Sequence, residues 1–167
     1  MIEFKTVHSD QQIESVASLA HEIWNEYFTP MIGAAQVNYM LENLQSFGPM
    51  KKQIAEGFEY FQILNDSSPV GYICIKPEED GLFLSKLYLL KSARGSGLGK
   101  QAFQFILQQA SDRSLEKIWL TVNKHNVDTI KAYQKWGFEI VGEPVADIGG
   151  GFVMDDYRME KSIGLGA

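Results

Sequence analysis

Apolar and polar positions alternate with period two from Ile2 to Val7, which predicts a first strand. Ser9-Asp-Gln-Gln12 then reads as a capping box, and Ile13, Val16, Ala17, Ala20, Ile23, Trp24 and Tyr27 recur at helical spacing. A second helix is expected over about Ala35 to Phe47, with Val37, Met40, Leu41 and Leu44 on its apolar side and Gly48-Pro49 as its end. Lys51 to Glu56 adds a short helical turn. Three apolar runs follow, Phe58 to Leu64, Val70 to Lys76 and Leu82 to Leu89, separated by Asn65-Asp-Ser-Ser-Pro69 and Pro77-Glu-Glu-Asp-Gly81. They read as strands joined by hairpin connections. An amphipathic helix from Leu98 to Ala110, a strand from Ile118 to Val122, a helix opened by Asn126, and two closing strands near Glu139 to Val145 and Phe152 to Glu160 complete the pattern.

The predicted order is β-α-α-β-β-β-α-β-α-β-β. Three consecutive strands followed by β-α-β alternation imply an α/β chain, a mixed α+β sheet with helices on both faces. No linker, repeat or low-complexity tract divides residues 1–167, so one domain is expected. The 167 residues are 45% hydrophobic and 22% charged, which is ordinary for a globular chain with one sizeable core. No apolar run reaches the roughly 18–20 residues of a membrane span, and Met1-Ile-Glu-Phe-Lys5 lacks the regions of a signal peptide. A cytoplasmic protein without a membrane partner is expected. The lone Cys74 lies in an apolar run and reads as a small buried hydrophobe. With 3 histidines and 1 cysteine, scattered, no metal site is expected.

The formal net charge of −6 argues against nucleic-acid binding. Locally the balance reverses: Lys91, Arg94 and Lys100 occur with no acidic residue between Lys91 and Gln109. Within this stretch, Arg94-Gly95-Ser96-Gly97-Leu98-Gly99-Lys100 joins a strand to a helix. Its alternate glycines let backbone N–H groups converge on an anion beside a helix N-terminus. The P-loop pattern fails, because Arg94 stands at its first glycine and Gln101 where Ser or Thr is needed. The dinucleotide pattern fails because Lys100 falls at its third glycine. What remains is R-x-x-G-x-G, or a glycine-rich turn with no ligand.

Downstream, Asn123, Asn126, Ala132, Tyr133, Gly137 and Phe138 fit N-x-x-N-x-x-x-x-x-A-[YF]-x-x-x-G-F. Read by itself this is a short helix with Asn126 as N-cap and Gly137 as C-cap. Together the two motifs resemble the GCN5-related N-acetyltransferases (GNAT superfamily), in detail from about Gly71 to Phe138. The resemblance implies strands four and five splayed apart around acetyl-CoA. Its pyrophosphate would sit on Arg94, Gly95, Ser96, Gly97, Leu98, Gly99 and Lys100, and its pantetheine along Leu87, Tyr88, Leu89 and Asn126. It also implies an oxyanion-stabilising N–H near Leu89 and Tyr133 as the acid that protonates the leaving thiolate.

Many family members carry a strand-four glutamate as general base, but Ser85 and Lys86 stand here. His21, Glu22, Glu59, His125, Asp155 and Asp156, or a water chain, are the substitutes. Trp24, Tyr27, Phe28, Tyr39 and Tyr60 are either core aromatics or the walls of an acceptor site for an ammonium. Gly149-Gly-Gly151 is read as a loop that brings Asp155 and Asp156 near the acceptor, similar to the ending of bacterial spermidine/spermine acetyltransferase-like relatives. The implied activity is acetyl transfer to a small cationic amine such as a polyamine. Transfer to a protein lysine or N-terminus and a non-catalytic acyl-CoA-binding module are the alternatives. A homodimer is compatible with each.

Overall fold

The computed structural model describes residues 1–164; residues 165–167 of the expected domain lie outside the described residues. Strand β1 (Ile2–Thr6) leads into α1 (Asp10–Ile23), where Ser9 and Gln12 form the reciprocal capping box. A single π turn, Trp24–Phe28, extends α1 into α2 (Thr29–Ile32). Then come α3 (Ala34–Asn43), α4 (Phe47–Ala55), β2 (Glu59–Asn65), β3 (Ser68–Glu78) and β4 (Gly81–Leu89). The second half runs α5 (Leu98–Asp112), β5 (Lys117–Asn123), α6 (Val127–Lys135), β6 (Glu139–Gly142), β7 (Val145–Gly149) and β8 (Phe152–Ser162).

Two expectations about boundaries are corrected. Gly48-Pro49 does not end a helix; it lies in the first turn of α4, where proline's missing N–H has no intrahelical partner to lose. The segment expected as one strand, Glu139 to Val145, is cut by Pro144, which cannot donate to a ladder. β7 therefore forms a separate hairpin with the first half of β8.

The sheet order is β1-β2-β3-β4-β5-β8-β6, with β7 pairing the first half of β8. One face packs on α5 and α6 through residues such as Ile73, Leu82, Phe103, Ile106 and Ile118. The other packs under α1, α3 and α4 through Val16, Ile23, Trp24, Val37 and Tyr72. Cys74 is buried in this second core, and burial raises its thiol to about 11. β4 and β5 are parallel and pair only at Leu82–Ile118 and Phe83–Trp119. Beyond that point they part.

The parting starts at an irregularity in β4. Ile75 pairs Leu84 but Cys74 pairs Lys86, so Ser85 is an extra residue and the strand bulges there. Leu90 N–H donates to Val70 O at 2.8 Å. By the two-residue alternation of an antiparallel ladder, the Leu87 and Leu89 peptide groups turn away from β3 toward the open seam.

Candidate active site

The open seam widens into a cavity of about 790 Å³ that reaches under the π turn and α3. Leu87, Tyr88 and Leu89 form one edge, and Leu120, Val122 and Asn126 form the other. At its outer end stands the glycine loop. Gly95 and Gly97 have φ of +79° and +81°, the left-handed region that glycine enters without strain. A Cβ at either position would meet nothing within 4 Å, so the loop bounds open space rather than packed chain. Gly97 is also the N-cap of α5, whose dipole adds to the cradle.

A strap from the first half of the chain crosses this end. Arg94 donates to Leu89 O at 3.1 Å, pairs with Glu26 at 2.9 Å, and lies 4.6 Å from the Tyr27 ring centroid. The Tyr27 hydroxyl donates to Asn126 Oδ1 at 2.5 Å and lies 3.3 Å from Thr129 Oγ1. Asn126 occupies the N-cap position of α6, yet its side chain caps nothing there; it faces the strap instead. Glu26 supplies the acidic neighbour missing from the sequence around Arg94.

Deeper in, Trp24, Phe28 and Tyr88 make an aromatic wall, with ring centroids 4.2 to 5.6 Å apart. Tyr133, buried on α6 against Trp136 and Phe138, lines the same space. Burial holds its hydroxyl far above the ordinary tyrosine range, so it stays protonated at any working pH. Asp156, also buried and lining the cavity, has an Oδ1 with no hydrogen-bond partner. Burial raises its carboxyl from 3.8 to about 6, the Thr121 hydroxyl acting the other way. Among the described residues the buried side-chain polar atoms without a partner are Asp156 Oδ1 and Trp24 Nε1, and both belong to this cavity.

A glycine loop facing open space, a strand edge turned toward the seam, and a buried tyrosine and carboxylate thus follow one another along a single opened seam. The family model for the acetyltransferase (GNAT) family matches residues 18–138. The chain belongs to the GNAT family. Its fold is that of PaiA N-acetyltransferase from Thermoplasma acidophilum, solved in complex with coenzyme A, with a TM-score of 0.81 at 20% identity over 97% of this chain and 99% of that one. An uncharacterized N-acetyltransferase of Mycobacterium tuberculosis is 32% identical over 100 residues, 59% of this chain and 64% of that protein, so the chain covers less than two thirds of it. The spermine/spermidine N(1)-acetyltransferase of Bacillus subtilis is 28% identical over 63 residues, 37% of this chain and 41% of that one.

Within this GNAT scaffold the residues singled out from sequence separate into groups. Leu87, Tyr88, Leu89, Arg94, Gly95, Gly99, Asn126, Tyr133, Trp24 and Tyr27 line the cavity. Ser96 donates to Ala93 O at 2.7 Å and shapes the loop; the Leu98 side chain is buried in the core, and Lys100 is exposed. Tyr39 lies off the lining: its hydroxyl donates to Ile148 O at 2.7 Å and its ring packs on Gly150 and Phe152, fixing the β7–β8 hairpin. Tyr60 is buried behind the cavity wall, its hydroxyl donating to Gln53 Oε1 at 2.5 Å.

Of the carboxylates and histidines considered as a base, His21, Glu22 and His125 are exposed, Glu59 pairs with Arg113 at 2.7 Å, and Asp155 pairs with Lys124 at 3.0 Å. Asp156 alone among them enters the cavity. Successive strand residues point to opposite faces, which separates it from Asp155. Gln45, Gln53 and Met154 also line the cavity and had no sequence motif to mark them. Lys86 did have a signal, a lysine within an otherwise apolar strand. No group of three or more His, Cys, Asp or Glu able to hold a metal occurs among the described residues. None of their helices is long and apolar enough to cross a membrane.

Proposed function

We propose that the chain is an N-acetyltransferase that moves the acetyl group of acetyl-CoA to a primary amine. The observation that carries this reading is the seam between β4 and β5, which leads from the glycine loop directly to Tyr133 and Asp156. When bound, acetyl-CoA supplies the thioester carbonyl that the amine attacks. Gly95, Gly97 and the start of α5 would hold the cofactor's phosphates, and the Leu87 peptide group and the Leu89 N–H, whose own carbonyl is taken by Arg94, would hold its amide chain in a strand-like manner. The Leu89 N–H, turned toward the seam, would stabilise negative charge at the reacting carbonyl. Asp156 takes the proton of the incoming ammonium. The nitrogen's second proton would leave to solvent as the C–S bond breaks, Tyr133 would protonate the departing thiolate and be reprotonated from solvent, and Asp156 would release the first proton, one proton net per acetyl transferred.

The likeness to the Bacillus subtilis enzyme supports a polyamine as acceptor. Transfer to a protein lysine or N-terminus is the alternative, and no relative named above supports it. A non-catalytic acyl-CoA module would have no use for a buried, unpartnered carboxylate beside a buried tyrosine.

The test is release of CoA thiol from acetyl-CoA with a panel of polyamines, amino acids and peptides. Turnover is expected only with an amine present, rising with pH through about 6 as Asp156 ionises, and falling roughly 100-fold or more in Tyr133→Phe. Tight CoA binding with no turnover for any amine would leave the non-catalytic reading in its place.

A further inference from the structure

The inner end of the cavity offers hydrogen-bond donors with no acceptors to match. Lys86 on β4 lies opposite Cys74 on β3, and Cys74 lies opposite Tyr60 on β2, so the three form a row across one face of the sheet. The Lys86 side chain is only 5% exposed, and its ammonium donates to Gln53 Oε1 at 3.1 Å and to the Tyr60 hydroxyl. An ammonium has three N–H groups, so one is left over. Gln53 Oε1 is fixed toward two donors, Lys86 and Tyr60, which turns the opposite, NH2 side of its amide away from them. Trp24 Nε1–H, buried and short of full hydrogen-bond geometry, has the Tyr72 hydroxyl as its neighbour and is not a free donor. The nearby Gln45 Oε1 is already taken by the Tyr72 hydroxyl at 3.2 Å.

No carboxylate forms an ion pair with Lys86 among the described residues. Burial lowers its ammonium to about 8, which still leaves it mostly charged at neutral pH. A buried cation and unmatched donors are costly unless something supplies the missing acceptors. The one buried carboxylate of the lining, Asp156, has its own free oxygen for an amine.

We infer that the acceptor is an amine that also carries a carboxylate, its amine directed to Asp156 and its carboxylate to Lys86 and the Gln53 amide. The inference rests on the acetyl-transfer reading above and sets an amino acid in the place of the polyamine as its acceptor. A polyamine presents further ammonium groups, which would bring like charge and more donors to Lys86. An amino acid with an apolar side chain presents the carboxylate there and meets the aromatic wall with its remainder.

Two readouts test this on the intact protein with CoA present. Leucine and 3-methylbutylamine, phenylalanine and 2-phenylethylamine, and 4-aminobutyrate and propylamine are compared as acids and their decarboxylated counterparts, with spermidine as the polyamine. Turnover is measured with acetyl-CoA, and binding by calorimetry with CoA. At least one acid is expected to exceed both its counterpart and spermidine by about 10- to 100-fold, the range of a charge-assisted hydrogen bond. In Lys86→Met that preference should collapse to within about threefold, because the discriminating donor is gone.

Lys86→Gln, which keeps a donor but not the charge, should retain part of the preference and shows that lost discrimination is not misfolding. Preferential binding of an acid without turnover, lost in Lys86→Met, would sustain the carboxylate site at Lys86 while overturning the acetyl-transfer reading and with it the acid's part as acceptor. Turnover or binding that favours spermidine, that ignores the carboxylate, or that is absent for every probe overturns the inference, as does an acid preference that survives Lys86→Met.

Discussion

At the scale of single residues, Asp156 shows how site chemistry is set against stability. Its carboxyl has a folded pKa of about 6 against an ordinary 3.8, so the folded state binds its proton more tightly than the unfolded chain does. The resulting penalty on the fold is absent below about pH 3.8, grows between 3.8 and 6, and is complete above 6. Asp156→Asn is therefore expected to stabilise the protein by about 1–3 kcal/mol at pH 8, a gain that vanishes by pH 4, while turnover falls. Chemical denaturation at the two pH values checks this; equal effects at both would remove Asp156 from the account. Tyr133 could be singled out in advance because a motif marks its place. Asp156 could be named only as one of an adjacent pair, since period-two alternation separates a buried from an exposed partner but does not say which is which. Lys86 was visible as a departure from the expected strand-four glutamate, but what it faces depends on Gln53 of α4 and Tyr60 of β2, elements far from it in sequence.

At the scale of elements, the seam depends on how β4 is held to β3 on its other side. Gly71 pairs with Leu89, and a Cβ there would collide with Tyr88 O and come within 2.8 Å of Leu89 Cδ2. Gly71→Ala should cost about 1–3 kcal/mol, the range of overpacking, and also weaken cofactor binding, because the displaced residues are the seam edge. Calorimetric unfolding together with a CoA titration separates this from loss of stability alone. Element order was largely legible: hydrophobic periodicity marked β1 to β5, α1, α5 and α6 to within a few residues. The errors fell at prolines. Pro49 was read as a stop although it sits in a helix's first turn, and Pro144 was overlooked as a break between β6 and β7. The helical spacing runs on through Trp24 and Tyr27 without marking the change to a π turn, which carries Trp24, Glu26 and Tyr27 over the seam.

At the scale of the whole molecule, the GNAT arrangement divides its labour between two cores on opposite sides of one sheet. The α5–α6 side anchors the glycine loop and Tyr133, whereas the α1–α4 side roofs the acceptor end. The first was readable as motifs, in the loop because its backbone geometry demands glycine at Gly95 and Gly97. The second was readable only as order of elements, since its aromatics serve packing and binding alike. The central claim is that this seam holds acetyl-CoA along its length. A calorimetric titration of acetyl-CoA into wild type and Gly97→Trp, with folding of the variant verified by circular dichroism, tests it most directly. One-to-one binding is expected in wild type and none in Gly97→Trp, whose side chain would fill the open cradle beside α5. Binding of the same strength in both proteins, or none in either, would contradict it.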